Sequence, residues 1–128
     1  MLKQEQIDQF HRDGYLVVEN VLSQNELLSL RQQLETWVDE SREYTEAYGE
    51  TIDGRSRFDV DPVDHGADHP ALRRVSSPTE ISDVYFETAI HSNMAEMAGK
   101  LIGGSGTRFH HSKVNAKLPH TATTVKWH

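Results

Sequence analysis

An α+β fold is predicted from three stretches of the sequence. Residues 23–26 (S-Q-N-E) open a long amphipathic helical pattern, and residues 82–102 carry two further helical segments. The final stretch, residues 107–128 (T-R-F-H-H-S-K-V-N-A-K-L-P-H-T-A-T-T-V-K-W-H), reads as a strand, a turn region and the start of another strand. The 128 residues suffice for one small domain, burying about 65–70% of its extended-chain surface if it closes. Apolar residues make up 36% and charged residues 26%, an ordinary globular balance. A net charge of −7 repels phosphate backbones and argues against nucleic acid as a partner. There is no cysteine, hence no disulfide framework, thiolate metal site or thiol nucleophile. No apolar run approaches the roughly 20 residues needed to cross a bilayer. The polar opening M-L-K-Q-E-Q is unlike a secretory signal, so the cytoplasm is the expected compartment.

Each element has its own signal. A short helix is expected over about residues 3–12, where Ile7 and Phe10 share a face and Gly14 supplies a left-handed stop. Tyr15-Leu16-Val17-Val18 is a short run of strand formers. Ser23 and Glu26 form a capping box for a helix over about 24–41. Its stripe of Leu27, Leu30, Leu34, Trp37 and Val38 is expected to pack in the core. From Arg42 to Asp61 the pattern dissolves into a long excursion with Gly49 and Gly54, in which Phe58-Asp59-Val60 makes a brief strand.

The loop over residues 59–70 is dense in Asp and His. As a calcium loop it fails, because Asp64 stands where glycine is needed and Pro70 where the closing glutamate belongs. His65 and His69 have zinc-helix spacing, but Gly66 and Pro70 oppose the helix that would align them. The loop therefore reads as solvated and acidic. Helices are expected over about 82–90 and 93–102, the second capped by Ser92 and ended by Gly103-Gly104, with Met94, Met97, Ala98 and Leu101 on its packed face. Along residues 109–117 side chains alternate: His111, Lys113, Asn115 and Lys117 share one polar side, which suits a wet cavity.

The run F-H-H-S-K-V-N-A-K (109–117), followed by Trp127-His128, resembles the phytanoyl-CoA dioxygenase family, which includes the ectoine hydroxylases. There an S-[KR]-[ILV]-N-x-K strand precedes a W-H-x-D strand. The opening D-G-Y-L-V-V and the segment L-R-R-V-S-S-P (72–78) fit the same family. The resemblance implies a non-haem Fe(II)/2-oxoglutarate-dependent oxygenase, with O2 as oxidant and a small organic molecule as substrate. It implies N-terminal helices packed on the first strands of a double-stranded β-helix, the jelly roll of cupins. It makes His128 the first iron ligand, Asn115 a 2-oxoglutarate contact and Val125 a wall of the co-substrate pocket. It puts His111 near the substrate, at a position that is Gln in ectoine hydroxylases and so points away from ectoine itself. The segment 72–78 is expected near the mouth of the site.

The carboxylate arm of the triad belongs two positions past His128. The expectation is therefore a single domain over 1–128, the N-terminal portion of the family's domain, cut at the first metal ligand and incomplete as a catalyst. Its first strands would have open edges through which copies could associate. Two other readings stand beside it. One is a non-catalytic binding module using the open sheet edge; the other is a metal-binding domain built on His110, His111, His120 and His128.

Overall fold

The computed structural model describes residues 1–121, 124 and 126. Among them the order is α1 (Gln4–Asp13), α2 (Gln24–Ser41), β1 (Tyr48–Glu50), β2 (Ser56–Val60), β3 (Leu72–Ser76), a 3-10 turn (Pro78–Glu80), α3 (Asp83–His91), α4 (Asn93–Ile102) and β4 (Lys113–Asn115). The fold is α+β: four helices and one open, antiparallel, four-stranded sheet in the order β1-β2-β3-β4.

The helix ends follow the expected chemistry. Gly14 caps α1 at φ 80, where a side chain would be strained. At the start of α2, Ser23 Oγ accepts from the Glu26 N–H and the Glu26 carboxylate accepts from the Ser23 N–H, so two orphan donors are satisfied. Hydrogen bonding from the Ser23 hydroxyl, and then from the Ser23 N–H, holds the Glu26 carboxyl below its ordinary pKa. Ser82 and Ser92 cap α3 and α4.

One face of the sheet is the core. Trp37 of α2 stands edge-on to Phe58, with ring centroids 6.0 Å apart, and lies 5.2 Å from Tyr85 of α3. Tyr48 stacks on Phe58 at 4.7 Å and Tyr44 on Tyr48 at 3.7 Å, so a ladder of rings runs from the β1 edge to α3. Val60, Leu72 and Val75 complete the buried cluster, with Val114 packed against it. Removing a ring like Trp37 from such a core costs about 3–5 kcal/mol. The Tyr48 hydroxyl is buried without a partner among the described residues, and burial, with Glu40 and Tyr44 nearby, pushes its pKa up to about 12.

Four expectations need correcting. Tyr15–Val18 is not a strand; Tyr15 is 64% and Val17 76% exposed, and no strand of the sheet pairs with them. Strand-forming side chains need a partner surface to act on. The excursion over 42–61 is a β1–β2 hairpin, with Tyr48 opposite Phe58 and Glu50 opposite Ser56. Gly49, at φ 67, passes close against Arg57 and Phe58, which is why glycine stands inside this strand. The last strand is only Lys113–Asn115, although Ser77 N–H to Ser112 O and Ala116 N–H to Arg73 O continue its bonding at both ends. The face of α4 is less covered than expected, with Met94 45% exposed and no residue of that helix buried.

Candidate functional site

A bulge sorts the sheet. Phe58 pairs with Val75 and Asp59 with Arg74, but Val60 pairs with Leu72, so β3 carries one extra residue, Arg73. Leu72 and Val75 can thus both face the core, while Arg73 and Arg74 both reach the Asp59 carboxylate, at 3.1 and 2.8 Å. The opposite face is polar throughout. Arg74 stands across from Asn115 and Ser76 across from Lys113, and directly opposed residues point the same way.

The alternation read along the last stretch holds from His111 to Lys117 but not before it, as Phe109 and His110 are both exposed. His111, Lys113, Asn115 and Lys117 are exposed, and Ser112, Val114 and Ala116 between them are partly covered. Asn115 offers a side-chain amide with no hydrogen bond among the described residues. His111 packs edge-on against His110, ring centroids 4.6 Å apart. His111 and Lys113 share a cleft of about 460 Å³ with the end of β3, so the segment over 72–78 does meet residues of the last stretch. Asn115 lies one residue pair along, outside that cleft's lining.

The corner where β3 ends is held by a residue with no signal in the sequence. Arg57 is 5% exposed at its side chain. Its Nη1 donates to the Ser76 and Ser77 carbonyls at 3.0 and 2.8 Å, and its Nη2 to Glu50 O at 3.0 Å and Glu80 Oε2 at 2.6 Å. Glu80 also accepts from the Ile52 N–H. The Arg57 hydrogen bond is the main reason that the Glu80 carboxyl sits below its ordinary pKa. This clamp fixes Ser77 in a left-handed conformation, φ 48, rare for a non-glycine residue.

The Asp/His loop is solvated at Asp68 and His69 but tied down at Asp61 and His65. The buried Asp61 carboxylate accepts from the Val63 and Asp64 N–H groups. His65 Nδ1 accepts from the Ala71 N–H at 2.9 Å, and Nε2 reaches the carbonyls of Ser41 and Tyr44 at 3.0 and 2.9 Å. That pattern requires the proton on Nε2. His65 is thus a strut between the loop and the end of α2. The exposed His69 shares a separate hollow of about 570 Å³ with His120.

Trp127, His128 and Val125 lie outside the described residues. Among the described residues no group of three or more His, Asp or Glu side chains comes together as a metal site. His110, His111 and His120 do not form one.

A family model described as phytanoyl-CoA dioxygenase matches residues 10–128. No curated protein and no solved structure gives a significant match.

Proposed function

The chain belongs to the phytanoyl-CoA dioxygenase family, and from that premise we propose that it forms part of a non-haem Fe(II)/2-oxoglutarate-dependent dioxygenase that hydroxylates a small organic substrate. The observation that supports this best in the molecule itself is Asn115. Its exposed, unpartnered amide stands on the polar face of the sheet. An amide N–H there can donate to a carboxylate of 2-oxoglutarate. Val125 would wall the co-substrate and His111 would meet the substrate.

The described residues do not hold iron by themselves, as no three donors converge. In this reading His128 is one arm of a two-His, one-carboxylate face, and the other two arms have no match within the chain. Bound there, Fe(II) supplies the coupled oxidation in which C–H, O2 and 2-oxoglutarate become C–OH, succinate and CO2. The protein's own share is to orient and to exclude water: Asn115 positions the co-substrate, and the core beneath the sheet keeps β4 in place. Closure of the sheet into a jelly roll belongs to the same proposal.

The test is to read the gene past codon 128. The expected frame continues with any residue, then Asp, and later a His and an Arg. The encoded protein should then form succinate when given Fe(II) and 2-oxoglutarate. Asn115→Ala should raise its KM for 2-oxoglutarate about tenfold, the cost of one charge-assisted hydrogen bond. A frame with no Asp at that place would overturn the reading. It would favour a non-catalytic binding module, which the open β1 and β4 edges of the sheet suit.

A further inference from the structure

The cleft between the end of β3 and the start of β4 has an unusual lining for so acidic a chain. It holds Arg55, Arg74, His111 and Lys113, with serines filling the rest and no carboxylate among them. We propose that this cleft is an oxyanion subsite, taking the phosphate or carboxylate group of the substrate. As a substrate subsite it rests on the oxygenase reading; as an anion site it stands alone.

Three observations carry it. The first is charge. Asp59 is the one carboxylate paired with both Arg73 and Arg74, so two cations share a single anion. Lys113 forms no ion pair among the described residues. The second is donor supply. Arg74 uses only Nη2 on Asp59, and Arg55 uses Nε and Nη2 on Asp53, which leaves N–H groups on both guanidinium forks. Ser112 Oγ is buried in the cleft wall with no hydrogen-bond partner among the described residues, a rare state that calls for one. The third is rigidity. Arg57 binds the Ser76 and Ser77 carbonyls, and the Ser77 N–H donates to Ser112 O, so the walls are held before a ligand arrives. At about 460 Å³ the cleft takes more than a bare ion, within the usual range for small-molecule sites.

Equilibrium dialysis of the full chain against labelled phosphate, and separately against labelled butyrate, tests this. Ionic strength is held constant with chloride, and no iron or 2-oxoglutarate is present. The expected result is saturable binding of about one anion per chain. An Arg74→Ala, Lys113→Ala double variant should weaken it at least tenfold, and Lys113→Arg should preserve it. Circular dichroism of the double variant separates lost binding from lost folding. Phosphate alone binding identifies a phosphoryl group, butyrate alone a carboxylate, and either supports the subsite. Absence of saturable binding of both anions, or a folded double variant that binds as tightly as the parent, overturns it. Because iron is left out, this result is independent of the gene-sequence test.

Discussion

Arg57 commits its guanidinium to three backbone carbonyls and one carboxylate, and lysine could not reproduce that fork. Arg57→Ala would strip this donor from the three carbonyls beneath the β3 corner and leave Glu80 with the Ile52 N–H. Urea denaturation should show a loss of about 2–4 kcal/mol. The pH dependence has a definite sign. Glu80 has a folded pKa below its ordinary 4.5, so its contribution is fully present above that value. The contribution is lost as pH falls through the folded value. Stability of the parent should therefore drop below about pH 4.5, and the drop should shrink in Glu80→Gln; an unchanged acid limb would count against the clamp. None of this was legible in the sequence. In S-R-F-D-V, Arg57 falls on the alternate face from Phe58, where a solvated arginine is the ordinary expectation, and its partner is 23 residues away. The strut role of His65 was hidden in the same way, as its Nε2 serves carbonyls 21 and 24 residues back along the chain.

Helices were legible because their signals are local. The Ser23 capping box and the Leu/Trp stripe set α2 to its observed ends, and Ser92 and Gly103 did the same for α4. Strands were not, because pairing decides them. Tyr15–Val18 has strand composition and no partner, while β1 has a glycine at its centre and pairs. The polar side of the last stretch could be read from alternation alone; the basic cleft could not, since it needs β3 and β4 side by side. Gly49 gives the element-scale prediction. A Cβ there would sit 3.0 Å from Arg57 Cβ and 3.2 Å from Phe58 Cδ2, on a backbone at φ 67. Gly49→Ala should cost about 1–3 kcal/mol and loosen β1 first. Amide hydrogen exchange would show this as faster exchange in Tyr48–Glu50 than in β3; unchanged protection would refute it.

The molecule as a whole exposes 9446 Å². A compact monomer of 14.6 kDa is expected to expose about 6,900 Å². The excess is larger than the roughly 800 Å² each partner gives to a standard interface. Part of it is exposed apolar surface: Tyr15, Val17, Ile52, Val63 and Ile102. No helix of the described residues is long and apolar enough to cross a membrane. The isolated chain is expected to associate through its open edges. Sedimentation velocity should show mass rising with concentration, and the thermal midpoint should rise with it. A single 14.6 kDa species melting sharply at every concentration would contradict this. The extra residue at Arg73 has a consequence for how such a chain can vary. It works as a parity switch: three steps from Leu72 to Val75 do the work of two on the neighbouring strand, from Phe58 to Val60. Losing that one residue would restore even counting, with Leu72 and Val75 two steps apart and still both on the core side. Losing a second residue there would put Leu72 and Val75 on opposite sides. Deletion of Arg73 alone should therefore keep the core pattern, and deletion of Arg73 together with Arg74 should reverse it at one end of β3.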